Sequence, residues 1–408
     1  MDKTKIQVHD YEGKLAAALQ RLENDTLLEA DRAKLRAFHE FLVAGGVNAA
    51  RRERVLSTLL NFAKRNAKPF ADFGKEDVQK LVVVAIESSG YSEWTKYTYK
   101  VILKQFFRWL RGCEGSENPP ETKWISTKIK NAGRLLPEEL LSEEDIKKIA
   151  GAAQNPRDKA LVMVLYDSGC RIGEILSLRL KDVVADSKGF YLVVNGKTGA
   201  RRVRLMPSVA SLAAWINSHP DRDNPNAALW FHVKSGKRAV ISYQYCRKVL
   251  ERLFARAGVK KRCNPHLFRH SRATFYAAVL PEALLKEQMG WTQSTKMAGV
   301  YVHLSGKRVD DAISEAYGQQ KKTTKPSLEV KTCPRCDFAN GFDAECCERC
   351  GTPLDQKAVV LAEADEEEFL TRLFAALVED AEIKKKLAFV LNKNELKTRL
   401  LNLIRTKL

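Results

Sequence analysis

Long apolar runs are missing from this chain. The two longest, "LVVVAI" (81–86) and "LVMVLY" (161–166), fall far short of the ~20 residues that a membrane-spanning helix needs. The N-terminal "MDKTKIQVHDYEGK" has no secretory h-region, so a cytoplasmic protein is expected. Acidic residues are in short supply: 50 Asp+Glu stand against 69 Lys+Arg, for a net charge of +19 and a pI near 9.5. That imbalance favours a polyanionic partner, nucleic acid ahead of an anionic membrane surface. Cysteine is sparse outside one segment. Four of the nine stand alone (Cys113, Cys170, Cys246, Cys263), which in a reducing compartment reads as buried free thiols, and the other five crowd into 333–350. No internal repeat is visible. What is present is ample hydrophobic content, 45% of 408 residues, which excludes general disorder and suits two or three domains.

Residues 12–111 read as nearly all helix. "KLAAALQRL", "EADRAKLRAFHEFLVAGG", "ARRERVLSTLLNFAKR" and "KEDVQKLVVVAIESSG" each end near a glycine, a basic turn or a cap. In "SEWTKYTYKVILKQFFRWLRG", Tyr99, Leu103, Phe106 and Leu110 share a stripe, with Lys96, Lys100 and Lys104 elsewhere on the surface. Such a basic helical domain can lie along a duplex; a packed bundle with solvated lysines fits the same segments. "RGCEGSENPPETKW" (111–124) breaks the helical pattern and reads as a linker. Helix and strand mix beyond it: Ser142 with Glu144 and Asp145 starts a capped helix, "RDKALVMVLYDSG" is a buried one, and 189–207 reads as two strands around an Asn195-Gly196 turn. Helices return around 242–257 and 265–280.

The chemistry-bearing stretch is "NPHLFRHSRATFYAAVL" (264–280). Asn264 caps a helix that has Pro265 at its first position, so His266, Arg269 and His270 fall on one face. Phe268, Phe275 and Val279 fall on the other face, which is expected to pack inward. Two imidazoles and a guanidinium near a helix N-terminus form an anion site in outline; a solvated basic face is the plainer alternative. In "DSGCRIGEILSLRLKDV" (167–183), Arg171 follows a glycine turn at the mouth of a helix anchored by Ile172, Ile175 and Leu176. Glu174, three residues on, can hold its guanidinium, and a purely structural salt bridge is the alternative. Lys197 lies in the hairpin turn, where it either reaches a phosphate or serves solubility. "MGWTQSTKMAGVYVHL" (289–304) contributes Trp291 and Tyr301, the tyrosine a nucleophile or simply a half-buried aromatic.

Taken in order, Arg171 after a Gly turn, a hairpin lysine, H-x-x-R-H on a helix, G-W and then Y-V-H resemble the tyrosine recombinase (phage integrase) family over about 137–318. The wording "RIGE", "HLFRHS" and "GW…S…YVHLSG" looks most like its archaeal branch, and the helical 12–111 segment resembles the family's core-binding domain. The resemblance implies a site-specific DNA recombinase. Tyr301 would attack a scissile phosphate to leave a 3′-phosphotyrosine and a free 5′-OH. Arg171 and Arg269 would clamp the non-bridging oxygens, Lys197 would protonate the leaving 5′-oxygen, and His266 would act in proton transfer near the phosphate or the tyrosine. Many members carry histidine where Trp291 stands. An indole N–H donates a hydrogen bond but cannot shuttle a proton, so acid–base duty falls on His266 and Lys197. His270 is expected to be packing or supporting, and Tyr317, in "EAYG", is the weaker candidate nucleophile. No catalytic metal is expected, because the cationic side chains supply that charge. The implied partner is double-stranded DNA, bound by a homo-tetramer across two sites, for integration, excision or resolution of multimers. A type IB topoisomerase-like enzyme and a non-catalytic DNA-binding accessory protein are the alternatives.

"CPRCDFANGFDAECCERCGTPL" sets Cys333-x-x-Cys336 ten residues before Cys347-x-x-Cys350, a spacing that can close a tetrahedral Zn–S₄ site. Cys346 also lies within ligand range, but only Cys347 makes C-x-x-C with Cys350. With no open coordination position, the zinc would be structural. The tail from 357 to 408 starts acidic ("EADEEE") and ends basic, with helical spacing of its leucines. The expected fold class is mainly α with a small β-sheet (α+β). The expected domains are a helical core-binding domain (1–115), a linker (116–136), a catalytic domain (137–320), a zinc ribbon (331–356) and a helical tail (357–408).

Overall fold

A computed structural model describes residues 8–129, 136–186, 189–196, 199–233, 239–304 and most of 330–354, with residues 6, 317 and 328. Two compact units are present, one within Met1–Glu139 plus Val240–Tyr243 and the other within Leu140–Ala239 plus Gln244–Leu408. No helix among the described residues is long and apolar enough to cross a membrane. The architecture is mainly helical with one small antiparallel sheet, as the residue patterns predict.

The first unit is built on α1 (Tyr11–Asn24), α2 (Glu29–Ala44), α3 (Ala49–Ala63), α4 (Lys75–Val82) and α5 (Glu93–Leu110). Side chains of Asp10, Asn48 and Ser92 cap α1, α3 and α5 by accepting backbone N–H bonds. An aromatic core of Phe38, Phe62, Phe70, Phe106 and Phe107 fills the centre. The run "LVVVAI" cannot be buried on every side of one surface helix. The chain meets that problem with a π turn at Val83–Glu87, where Val83 and Val84 face solvent while Leu81, Val82, Ala85 and Ile86 stay inside. The lysines of α5 are engaged within this unit. Lys96 bridges Glu87 and Glu93, Lys100 pairs with Glu87, and Lys104 donates to the Ile125 carbonyl. The stretch read as a linker is partly ordered by a short helix, α6 (Pro120–Lys123), with Thr122 and Ile125 buried.

The second unit opens with α7 (Glu143–Gly151), capped reciprocally by Ser142 and Asp145. Next comes α8 (Pro156–Ser168), buried along its whole length from Arg157 to Ser168 except at Lys159. Gly169 ends α8 in the left-handed conformation (φ 59°), and α9 (Ile172–Leu176) follows at once. The sheet is a meander of β1 (Val183–Asp186), β2 (Gly189–Gly196) and β3 (Gly199–Arg204). β1 is a strand beyond the two expected. Asn195 and Gly196, expected as a turn, are both paired in β2, with Gly196 opposite Gly199. Helices α10 (Val209–Asn217), α11 (Tyr243–Arg256), α12 (Pro265–Val279), α13 (Glu282–Met289) and α14 (Met297–Leu304) complete the core.

One carboxylate ties three of these elements together. Asp167, fully buried on α8, accepts from the Met206 N–H (2.7 Å), from the Ser208 hydroxyl (2.7 Å) and from Arg272 on α12 (3.1 Å). Its backbone carbonyl accepts from the Tyr276 hydroxyl (3.0 Å). Arg272 in turn lies over the rings of Phe275 and Tyr276, each 4.4 Å away. A small two-stranded element, β4 (Lys331–Thr332) and β5 (Ala339–Asn340), packs through β5 on α10, and the Lys147 ammonium lies 5.2 Å from the Phe342 ring.

Candidate active site and metal centre

Helix α12 begins as its residues predict, with the Asn264 side chain accepting from the His266 N–H and Pro265 in the first turn. Its two faces differ from expectation. Phe268 is fully buried, but Val279 is 59% exposed and Arg269 only 7% exposed. The helix is embedded near its N-terminal end, so the arginine that looked like a surface charge lies inside the protein.

Backbone carbonyls hold that arginine. Arg269 donates to the Gly169 carbonyl (2.9 Å) and to the Met289 carbonyl (2.6 Å), joining the end of α8 to the end of α13. Burial, and after it the nearby Arg171 charge, brings its pKa down to about 10. Arg171 stands at the N-terminus of α9, donating to Glu174 (3.0 Å) and to the Gly290 carbonyl (3.2 Å). The two guanidinium groups thus converge on adjacent carbonyls, 289 and 290, as α13 terminates. Gly290 has φ 60°, and a Cβ there would meet the Arg201 guanidinium at 2.6 Å, so this turn requires glycine.

Arg201, on β3, is a member of the cluster that sequence reasoning missed. It donates to both Glu174 oxygens (2.8 and 3.3 Å) and to the Gln288 carbonyl (3.3 Å). Glu174 is therefore shared by Arg201 and Arg171. Burial would raise the Glu174 pKa, but bonds from Arg201 and Arg171 outweigh it and hold the carboxyl below its ordinary value. One carboxylate among three guanidinium groups leaves excess positive charge, which suits a phosphate.

Tyr301 enters this cluster from α14 and is 3% exposed. Its ring stacks on Trp291 (centroids 5.3 Å apart, planes 14° apart), and Arg269 lies 5.6 Å from the indole. Its hydroxyl is 2.6 Å from Nδ1 of His270. Burial pushes the phenol pKa up, with Arg269 opposing. The His266 imidazole is exposed, yet partial desolvation, then the charges of Arg269 and Arg171, lower its pKa. The structure thus gathers Arg171, His266, Arg269, Trp291 and Tyr301. His270, read from the sequence as packing or support, contacts the phenol directly. Lys197 lies outside the described residues, as does the tail. Tyr317 is 85% exposed.

The sulfur atoms of Cys333, Cys336, Cys347 and Cys350 lie within 4.8 Å of one another. Two of the separations, Cys333–Cys350 at 3.5 Å and Cys336–Cys347 at 3.6 Å, approach the ~3.8 Å edge of a tetrahedron with ~2.3 Å Zn–S bonds. The cluster can hold a metal ion. Cys346 is exposed and outside it; its backbone bridges to Pro353.

Residues 139–308 match the phage integrase family model. The tyrosine recombinase XerA of Pyrococcus horikoshii is 28% identical over 235 residues, covering 57% of this chain and 76% of that protein. Among solved structures, a XerH site-specific recombinase in a post-cleavage complex with palindromic difH substrate aligns with TM-score 0.55 and 20% identity, over 77% of this chain and 91% of that one. A lambda integrase tetramer bound to a Holliday junction aligns with TM-score 0.52 and 14% identity, over 69% and 80%. At these identities the two structural likenesses speak to the fold.

Proposed function

We propose, from the premise that residues 139–308 form a domain of the phage integrase family, that this chain is a site-specific DNA recombinase that cuts and rejoins duplex DNA through a tyrosine. The observation that carries the reading is the convergence of Arg171, Arg269 and His266 beside the buried Tyr301 hydroxyl. The phenolic oxygen attacks the scissile phosphorus, a 3′-phosphotyrosine forms and the 5′-oxygen leaves. Arg171 and Arg269 stabilise charge on the non-bridging oxygens, where fixed planar donors act best. In the present arrangement both donate to backbone carbonyls, so a bound phosphate would share or replace those partners. His266, with its lowered pKa, is positioned for proton transfer at the phosphate. The Trp291 indole supplies stacking and a donor. Lys197 is the general acid in this reading, carried on the strand pair that Arg201 fastens to Glu174.

Both units bind the duplex, and the active assembly is a homo-tetramer on two sites, which integrates or excises a mobile element or resolves multimers. The lambda integrase tetramer on a junction is a precedent for that assembly, and the likeness to Pyrococcus XerA supports an archaeal-type enzyme. The four clustered cysteines bind a structural zinc in a small ribbon. The work is done in the cytoplasm, where the DNA and the reduced thiols are. No catalytic metal takes part.

The test is covalent trapping in EDTA on nicked duplexes taken from DNA flanking the protein's own gene. The expected result is a protein–DNA adduct on denaturing gels, lost with Tyr301→Phe and kept with Tyr317→Phe. An adduct that survives Tyr301→Phe would overturn the nucleophile assignment.

A further inference from the structure

We infer that His270 is the group that orients the Tyr301 hydroxyl and receives its proton; among the described residues, Arg171, His266, Arg269 and Trp291 make no hydrogen bond to that hydroxyl. The inference rests on the recombinase reading above for the reaction, and on geometry alone for the contact. Nδ1 of His270 lies 2.6 Å from the phenolic oxygen, the one hydrogen bond of that hydroxyl among the described residues. The rings of His270 and Tyr301 face each other with centroids 5.9 Å apart and planes at 29°. Trp291 also stacks nearly parallel to the phenol and restricts rotation of its ring. The tyrosine is therefore held by both an indole and an imidazole.

His266 and His270 sit one helical turn apart but serve different atoms. The charges bearing on His266 are those of Arg269 and Arg171, the two phosphate clamps. His270 instead meets the nucleophile. The charged or titratable groups that bear on His270 are His266 and Arg269 of its own helix and Tyr301 of α14. Burial, then His266 and Arg269, lowers its pKa, so at neutral pH it is an uncharged imidazole with a lone pair to offer. With the proton of the ring on Nε2, Nδ1 accepts from the Tyr301 hydroxyl. A buried phenol whose own pKa is raised does not ionise unaided, which is the condition under which an adjacent acceptor counts.

The step balances as follows. The Tyr301 Oη–P bond forms, and the P–O5′ bond breaks. The phenolic proton passes to Nδ1 of His270, and the 5′-oxygen takes a proton from the general acid, assigned above to Lys197. Religation runs in reverse: the 5′-hydroxyl attacks, and imidazolium returns its proton to the departing phenolate.

Two variants separate holding the hydroxyl from taking its proton. In His270→Asn the side-chain carbonyl lies near the position of Nδ1 and keeps the hydrogen bond without the basicity, whereas His270→Ala removes both. The full-length chain would be assayed on the nicked duplex above, with DNA affinity and single-turnover adduct formation followed from pH 6 to 9. All forms should bind DNA within about twofold. At pH 7 the adduct rate should fall about 100-fold in His270→Ala and less in His270→Asn, in keeping with the usual size of general-base effects. Wild-type rates should already be level by neutral pH, because the His270 pKa lies below 6.5, while both variants should climb about tenfold per pH unit as hydroxide replaces the missing base. His270→Ala with a wild-type rate, or a slower rate with an unchanged pH profile, would overturn the inference. A DNA-free measurement keeps it separate from the recombinase reading. With 3-fluorotyrosine incorporated, the ¹⁹F signal that disappears in Tyr301→Phe should move with pH as His270 titrates, and should stop moving in His270→Ala. If no duplex yields an adduct yet that signal behaves as described, the recombination reading fails and the His270–Tyr301 pairing stands. A signal indifferent to His270→Ala sinks the pairing.

Discussion

Glu174 serves two guanidinium groups at once, and that sharing decides what the loss of either arginine does. Arg201→Met would leave a carboxylate whose side chain is only 5% exposed with Arg171 as its remaining charged partner. Removing one member of a buried pair costs roughly 3–5 kcal/mol, and Arg171 offsets part of that, so about 2–3 kcal/mol is expected in urea unfolding at pH 7. The sign with pH follows from Glu174. Its native pKa lies below the ordinary 4.5, so its contribution is present above pH 4.5 and is lost as pH falls through the native value. The gap between wild type and Arg201→Met should therefore narrow in acid. Arg201→Lys should recover little, because an ammonium cannot span both oxygens. Arg171, by contrast, was legible from the residues: a glycine turn before it and an acid three residues later describe what is observed. Arg201 was passed over as one basic residue among several in "GARRVR", although strand alternation puts it on the same face as the buried Val203 and Leu205. The contact of His270 with Tyr301 was not legible, because helical spacing shows which residues share a face but not what packs opposite them.

At the level of elements, the caps were the most readable features, since Ser142, Asn264 and Pro265 act within a few residues of themselves. The burial of α12 was not readable, because it depends on α8 and α14, which the chain brings there from far away. The end of α13 shows the same limit. "MGW" looks like an ordinary helix stop, yet Gly290 is where the paths of Arg171 and Arg201 cross. Gly290→Ala would force a side chain into the left-handed region, at roughly 1–2 kcal/mol, and displace Arg201 besides. The expected outcome is a loss of about 2–4 kcal/mol in unfolding free energy and at least a tenfold slower adduct rate, with DNA affinity nearly intact. Normal adduct formation by Gly290→Ala would show that the Arg201–Glu174–Arg171 arrangement does not set the clamp.

At the level of the whole molecule, the cysteine cluster and the tyrosine site are built from different parts of the second unit. The cluster belongs to the small element resting on α10; the site belongs to α8, α9, β3 and α12–α14. Metal analysis of the purified chain should find one zinc, and Cys347→Ser should lose it, since structural zinc typically contributes ~10–16 kcal/mol of binding free energy to small ribbons. Trypsin should then cut within 331–353, while adduct formation on a nicked duplex should stay within about threefold of wild type. The grouping of Cys347 with Cys350 was legible from spacing, and the resting place of this small element on α10 was not. The bonds of Arg269 to Gly169, 100 residues earlier, and to Met289, 20 residues later, reach further still in their effect. During synthesis, Arg171 and Glu174 leave the ribosome long before the carbonyls and the tyrosine that complete their surroundings. A half-made chain therefore has Arg171 and Glu174 but neither the Met289 and Gly290 carbonyls nor Tyr301. On the chemistry proposed above, a copy that has not yet reached Tyr301 lacks the attacking hydroxyl and is expected not to cut.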